Sequence, residues 1–222
     1  AGVGGLPGPV PARVFVGLAE AAPQKIKADN GRRDRISIQA THPDGRPVSP
    51  IGFVSGGFGA MEGQDGRDCL PGPSNMAAVP VEVWETITGM TVVSKRLRPD
   101  SGGPGASRGG IGQGMTLRND TGNPMTVFSM ANRTEFVPPG YLGGGDGGLR
   151  QHQVNGMTVH PKGSQVLSPG DEITLVQAGG GGIGDPADRP RALIARDLEL
   201  GLITLDGAAR DYGYQVGADG VD

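Results

Sequence analysis

The sequence predicts a β-rich α+β fold: a mainly antiparallel sheet body, rich in glycine loops, with an N-terminal helix and a C-terminal helical pair. Glycine accounts for 42 of the 222 residues and proline for 19. Apolar runs such as VPVEVW and ITLVQA recur between the glycines, and the formal net charge is only −3. Weak self-repulsion and recurring apolar runs argue against disorder. β-type runs separated by glycines indicate strands joined by many loops.

The predicted organisation has three parts. Residues 1–34 form an N-terminal helix and a connection, 35–187 form the β-rich body, and 188–222 form the C-terminal helical pair and tail. The first helix is predicted over 11–23, because apolar residues recur there at helical spacing and the pattern stops at Pro23.

The first half of the body gives signals of unequal strength. Residues 32–40 alternate weakly, HPDGRP (42–47) indicates a turn, and 51–76 is glycine-rich and irregular. Apolar and polar residues alternate well over 79–87, which predicts a strand, and MTVVSKRLR (90–98) predicts another.

Turn residues divide the second half of the body. MTLRND and MTVFSMA (115–131) flank a glycine turn, and QHQVNGMTV (151–159) contains an Asn-Gly pair, so each stretch is predicted to be a β-hairpin. The segments 98–114 and 136–148 are predicted to be long glycine loops.

The end of the chain changes character. A strand is predicted over Glu172–Ala178, after a Pro-Gly-Asp turn. Residues 188–213 are predicted to be helical, with Asp188 as a cap, Gly201 as a stop and a second helix from about Leu205.

The glycine run after the last strand satisfies the spacing of a dinucleotide-binding loop, Gly179-x-Gly181-x-x-Gly184. That reading requires a parallel βαβ unit with a second strand after the helix, and no such strand follows. The preceding turn also indicates an antiparallel strand. We therefore expect this run to serve close backbone packing instead.

Charge and cysteine content limit the function classes. The balanced charge gives little support for a nucleic-acid or anionic-membrane partner. No apolar stretch approaches the length of a membrane span. A single cysteine, Cys69, excludes an internal disulfide framework and is typical of a reducing compartment, so we expect a cytoplasmic protein.

Several stretches together resemble the C-terminal half of the hydantoinase B/oxoprolinase family, in matching order over nearly the whole chain. They are GGFGAMEGQDG (56–66), PSNMAAVPVEVWE (73–85), RLRPDSGGPGASRGGIGQG (96–114), GGGGIGDP (179–186) and AARDYG (208–213). The resemblance implies a subunit of an ATP-dependent hydrolase of cyclic amides, of the hydantoinase or 5-oxoprolinase type. Alternatives are a subunit of an ATP-dependent ketone carboxylase of the acetone or acetophenone type, or a non-catalytic assembly scaffold.

The same resemblance implies partners and cofactors. ATP with Mg²⁺ is expected on a hydantoinase A-like subunit, which activates the substrate carbonyl by O-phosphorylation. A divalent metal is expected in the N-terminal half of the B-type subunit, which we expect as a separate chain in a hetero-oligomer. No cofactor is expected on the present chain, and its histidines show no metal-binding spacing.

The candidate catalytic residues are Asp100, Ser101 and Arg108 in the 98–114 loop. Together with N–H groups of Gly102 and Gly103, Arg108 would hold a phosphorylated or carboxylated intermediate. In the structural alternative, Asp100 caps the loop and Arg108 pairs with it.

Ser74 and Asn75 are the other candidates for substrate binding. They precede the predicted strand 79–87. A turn role, in which the asparagine side chain bonds the backbone, is the alternative for this pair.

Overall fold

The computed structural model describes residues 25–70 and 79–215, together with Gly17 and Ala22. Apart from those two positions, the predicted helix over 11–23 lies outside the described residues. The strands are β1 (Arg33–Thr41), β2 (Pro47–Val48), β3 (Ile51–Ser55), β4 (Met90–Leu97), β5 (Gln113–Asn119), β6 (Met125–Met130), β7 (Gln151–Val154), β8 (Met157–Val159), β9 (Lys162–Leu167) and β10 (Glu172–Val176). The helices are α1 (Val81–Thr88), α2 (Arg191–Glu199) and α3 (Leu205–Tyr212).

The strands form two five-stranded sheets, and every pairing between them is antiparallel. In sheet 1, β1 pairs with β2 and β3 along one edge and with β6 along the other, and β9 follows β6. Sheet 2 has the order β4-β5-β10-β7-β8. The β-rich α+β prediction is thus confirmed.

The main core lies between the two sheets. Burial alternates along β5 and β10, so that Met115 and Leu117 face the core together with Ile173 and Leu175. Sheet 1 contributes Ile36, among others, from its inner face. This period-two burial is why the strand predictions over these stretches held.

The strand predicted over 79–87 was wrong, because Val81–Thr88 is helix α1. Trp84 and Thr88, one helical turn apart, are its buried residues, and the helix ends at Gly89 in the left-handed conformation. The Trp84 ring lies over Gly52, where any Cβ would overlap it. Burial of one large ring against sheet 1 overrode a strand-like local pattern.

The hairpin predicted over 115–131 was also wrong, because β5 and β6 belong to different sheets. The connection between them crosses the end of the sandwich and is held by Asn119. Its side chain donates to Asn123 O at 2.9 Å and to Leu167 O at 3.0 Å, and accepts from the Thr121 hydroxyl. The predicted hairpin over 151–159 is confirmed by the pairing of β7 with β8.

Three further outcomes concern single elements. The irregular region predicted over 51–76 contains β3, which the sequence pattern missed. The C-terminal helical pair is confirmed, and Gly201 lies at positive φ between its helices. Asp188 does not cap α2, since it lies in a 3₁₀ turn that Asp185 caps by accepting from Ala187 N.

The glycine-rich loops come together as a second body, here called the glycine bundle. Extended segments 28–31, 56–60, 98–112 and 139–147 pack around a central segment, 179–184. A strand in a pleated sheet bonds to neighbours on two sides only. The central segment bonds to all four surrounding segments, so the bundle is not a sheet.

Along the central segment, successive peptide N–H groups turn to different neighbours. These hydrogen bonds are Gly180 N to Gly110 O (2.8 Å), Gly181 N to Asp29 O (2.9 Å), Gly182 N to Gly145 O (3.0 Å) and Ile183 N to Ser107 O (3.0 Å). The first and last of them both reach the segment 98–112, and Gly184 N donates to Tyr141 O of the segment 139–147 at 3.1 Å.

The bundle explains the dinucleotide-like glycine spacing. The strand before it, β10, is antiparallel to both of its neighbours, β5 and β7. The N–H groups of residues 180–184 are occupied by backbone carbonyls of the bundle. The spacing therefore serves close backbone approach, as the sequence argument expects. No helix in the described part of the chain is long and apolar enough to cross a bilayer.

Candidate functional site

The predicted catalytic loop lies where the glycine bundle meets the C-terminal helices. Asp100 accepts hydrogen bonds from Thr204 N at 2.8 Å and from the Thr204 hydroxyl at 2.6 Å. Thr204 in turn caps α3 by accepting from Gly207 N at 3.0 Å. Asp100 therefore ties the loop to the first turn of α3.

Ser101 and Gly103 bond within the bundle, and Gly102 packs closely against it. The buried Ser101 hydroxyl donates to Arg98 O at 2.6 Å and accepts from Gly112 N at 2.9 Å. Gly103 N donates to Gly180 O at 2.8 Å. A Cβ on Gly102 would lie only 2.0 Å from a backbone oxygen of the neighbouring strand of the loop. These polar groups already have internal partners.

Arg108 belongs to a group of five charged residues, here called the ionic cluster: Asp65, Asp68, Arg108, Arg189 and Asp197. Arg108 Nε lies 3.1 Å from Asp197 Oδ2, and its Nη1 lies 3.4 Å from Asp68. Arg189 reaches the same Asp197 oxygen at 2.7 Å and holds both oxygens of Asp65, at 2.7 and 2.8 Å. The cluster joins α2 to the glycine bundle.

The ionic cluster shifts the pKa values of two of its members, Asp65 and Arg189. Burial alone raises the pKa of Asp65, but the hydrogen bonds and charge of Arg189 and the backbone N–H of Arg108 outweigh it, so the pKa lies below its usual value. Burial alone lowers the pKa of Arg189. The hydrogen bonds to Asp65 and the negative charges of Asp65 and Asp197 outweigh this effect, so the pKa lies above its usual value. Asp65 and Arg189 therefore stay ionised across the neutral range.

A depressed carboxyl pKa makes stability depend on acid pH. The contribution of Asp65 is fully present above the unfolded pKa of about 3.9 and is lost as pH falls through the lower folded value. We expect urea unfolding between pH 6 and 2.5 to show a steeper loss of stability for the native protein than for Asp65→Asn. The exposed Asp188→Asn is the matched control and should follow the native curve. Parallel curves for native protein and Asp65→Asn would contradict this assignment.

The structure brings Arg108 and Asp100 to different partners. Arg108 pairs with Asp68 and Asp197, and the Asp100 carboxylate bonds to Thr204, so the predicted Asp100–Arg108 pair is not the arrangement observed. Ser74 and Asn75 lie outside the described residues. A catalytic role for the loop residues stays a prediction.

Sequence reasoning missed a buried polar layer between the two sheets. His152 Nε2 lies 2.7 Å from Asp34 Oδ2, and the Ser129 hydroxyl donates to the other Asp34 oxygen at 3.2 Å. Arg150 crosses from sheet 2 and donates to backbone carbonyls of Asn132 and of the start of β1. The sequence signal for this layer was the alternation of inward and outward positions along β1, which places the Asp34 side chain inward.

The order of these groups does not match a Ser-His-Asp triad, in which the histidine lies between serine and carboxylate. Here the carboxylate of Asp34 lies between Ser129 and His152, and all three side chains are buried. The layer therefore links the two sheets as a polar contact.

The described residues include His, Asp and Glu side chains and the single cysteine, Cys69, which are residue types that can bind metals or act as nucleophiles. No group of three His, Cys, Asp or Glu side chains there converges as a metal site. Burial, and next the charge of Asp68, raise the pKa of the Cys69 thiol to about 11, although Lys95 acts in the opposite direction. A thiol with this pKa is a poor nucleophile at neutral pH.

The Cys69 thiol should therefore react slowly with alkylating agents. At pH 8 a thiol with pKa near 8.5 is partly ionised, whereas Cys69 is almost entirely protonated, so we expect iodoacetamide to react with it at least about a hundredfold more slowly than with glutathione. The measurement is peptide mass spectrometry over time, with urea-unfolded protein as the control. Alkylation of the folded protein at the glutathione rate would disprove the shift.

A small, partly open cavity lies between the sheets beside α1. Its lining is mostly apolar and consists of Ile36, Phe53, Val54, Ser55, Val79, Trp84, Lys95, Gln113 and Met115. The Gln113 side chain donates to Ser55 O at 2.9 Å. Lys95 is the charged residue of the lining. This lining contains no acid–base pair.

Comparison with known proteins gives one family and a shared fold. The family model described as Hydantoinase B/oxoprolinase matches residues 9–186. A relative, the caprolactamase subunit beta of Pseudomonas jessenii, is 29% identical over 224 residues, which cover 93% of this chain and 38% of that subunit. The chain thus spans well under half of the relative's length.

Two solved structures share the fold. The ATP-dependent caprolactamase from Pseudomonas jessenii superposes with a TM-score of 0.82 at 23% identity, over 92% of this chain and 38% of that one. A nucleotide-free acetone carboxylase gives a TM-score of 0.73 at 19% identity, over 95% of this chain and 33% of that one. At these identities the likeness concerns the fold alone.

Proposed function

Because the chain belongs to the hydantoinase B/oxoprolinase family, we propose that it is the C-terminal part of a hydantoinase B-like subunit of an ATP-dependent cyclic-amide hydrolase. The match over residues 9–186 is the observation that carries this proposal. A caprolactamase subunit among the sequence relatives supports an amide as the substrate class.

The proposed reaction divides an unfavourable attack into two easier steps. A hydantoinase A-like partner subunit binds ATP with Mg²⁺ and transfers the γ-phosphoryl group to the amide oxygen, releasing ADP. Phosphorylation removes amide resonance and makes the carbon a better electrophile. Water then adds to that carbon, and the ring C–N bond breaks with protonation of nitrogen, which leaves an acyl phosphate. A second water hydrolyses the acyl phosphate to the free carboxylate and inorganic phosphate. The described residues of this chain offer no fitting metal site, so no step through a metal is assigned to it.

We propose that this chain shapes the substrate cleft and the subunit interface as a framework. The support is that Asp100, Ser101 and Arg108 each use their polar atoms in internal bonds. A framework role for Asp100 predicts that Asp100→Asn, which keeps an acceptor for Thr204, changes kcat by less than about threefold. A catalytic carboxylate would cost about a hundredfold or more. Steady-state kinetics on an assembled complex of verified composition distinguishes the two.

The function is tested on the complete assembly, with this chain, the rest of the B-type polypeptide and the A-type subunit. ADP release is measured with caprolactam, hydantoin or 5-oxoproline, and separately with acetone and bicarbonate. We expect ADP release coupled to ring opening with at least one cyclic amide, and its loss when this chain is omitted. Bicarbonate-dependent consumption of acetone without any amide hydrolysis would instead assign the ketone carboxylase function.

A further inference from the structure

The two sheets present very different outer faces. On sheet 2 the outward positions are mostly polar, with Val176 an apolar exception: Thr116 and Thr174 share a hydrogen bond of 3.0 Å between their hydroxyls, and Arg118 lies opposite Glu172. The outward positions of sheet 1 include Ile51, Phe53, Phe128, Met130 and Val166. A solvated sheet face is normally polar, so sheet 1 has the composition of a covered face.

Strand register places these apolar residues side by side. Ser37 is opposite Ile51 on one side and opposite Phe128 on the other, so only a small side chain separates these two. Val166 is opposite Thr126, the neighbour of Phe128 on the same face. Residues two apart or diagonal across a ladder lie within reach of one another. We call this surface, formed by Ile51, Phe53, Phe128, Met130 and Val166, the apolar outer face.

Four of these five residues are exposed, whereas the half-buried Phe53 ring lies against the Arg33 guanidinium and also lines the cavity between the sheets. Met130 is 62% exposed and Val166 is 68% exposed. The charged residues at outward positions of the same strands are all basic: Arg33, Arg35 and Lys162. A complementary surface would carry an apolar centre with carboxylates around it.

We propose that the apolar outer face packs against the part of the B-type polypeptide that lies outside the matched region. This inference rests on the proposed function. In the caprolactamase subunit beta, the matched region is only 38% of the chain, so most of that polypeptide folds elsewhere and must meet this region somewhere. Permanent interfaces are more hydrophobic than transient ones, which favours the B-type polypeptide over the A-type subunit as the occupant.

Two exposed methionines allow an internal comparison in the intact assembly. Met130 lies in the apolar outer face and is 62% exposed, and Met157 lies on sheet 2 and is 69% exposed. Under hydroxyl-radical oxidation of the complete complex, we expect Met130 to react at least tenfold more slowly than Met157, and both to react alike after unfolding. Equal rates in the folded complex, whether fast or slow, would overturn the proposal.

A photo-crosslinker identifies the occupant. With p-benzoylphenylalanine in place of Phe128, irradiation of the assembly should link this chain to the remaining B-type polypeptide. Cross-links to the A-type subunit, to a second copy of this chain or to its own other segments would overturn the proposal.

Val166→Lys should reduce recovery of the complex at least tenfold, whereas Thr158→Lys, at an outward exposed position of sheet 2, should not. ADP release with a cyclic amide is scored separately, so loss of that activity in the native complex rejects the function rather than the interface.

Discussion

Replacing Gly180 with alanine is expected to prevent the protein from reaching its folded state. A Cβ at this position would lie 2.2 Å from the Phe58 carbonyl oxygen and 2.5 Å from its carbon. Both atoms belong to the backbone of a bundle segment, which cannot rotate away as a side chain would. Gly180 also donates to Gly110 O, so moving it breaks a bundle hydrogen bond. The loss of stability should exceed about 4 kcal/mol.

The matched control is Gly114→Ala in β5, where a Cβ would meet no atom within 4 Å. This change should be neutral or stabilise by up to about 1 kcal/mol, because alanine restricts the unfolded chain. The measurement is the yield of soluble protein followed by thermal unfolding under circular dichroism. A Gly180→Ala protein with the native melting temperature would show that the bundle is not packed as described.

Replacing Asp197 with alanine should have the next largest effect, a loss of about 3–5 kcal/mol. One oxygen of Asp197 contacts both Arg108 and Arg189, and these two guanidinium groups are buried. Without this carboxylate, two positive charges remain close together away from water. Asp65 and Asp68 still neutralise part of that charge, so we expect detachment of α2 and α3 before the sheets unfold.

The comparison for Asp197 is Asp211→Ala. Asp211 pairs with Arg210, whose side chain is 62% exposed, and such pairs contribute less than about 1 kcal/mol. Urea unfolding gives both free energies, and limited proteolysis reports whether the C-terminal helices are released. If the two variants were equally stable, the ionic cluster would have no role in holding those helices.

The elements that the sequence predicted well are those whose pattern is local. The β7–β8 hairpin follows from an Asn-Gly pair, and both residues adopt positive φ as that turn requires. The C-terminal helices carry their own stop and cap, at Gly201 and Thr204. The end of α2 and the start of α3 therefore needed no knowledge of distant contacts, whereas the start of α2 lies after the predicted cap Asp188.

The errors concern information that is distant in the chain. Helix α1 depends on Trp84 meeting Gly52, and the separation of β5 from β6 depends on which sheet each strand joins. For the candidate site, the sequence predicted the glycine loop 98–114 but not the partners of Arg108. Asp197 lies 89 residues away from it, and no sequence spacing encodes that contact.

The glycine bundle also has a consequence for how stability changes with temperature. Unfolding a hydrophobic core exposes apolar surface and raises the heat capacity, whereas unfolding hydrogen-bonded backbone exposes polar surface and lowers it. A large share of this chain is buried as peptide groups with no side chain, as at residues 179–182. The heat capacity change of unfolding per residue should therefore fall below that of ordinary globular proteins. The curve of the protein's free energy of unfolding against temperature would be correspondingly broad and flat.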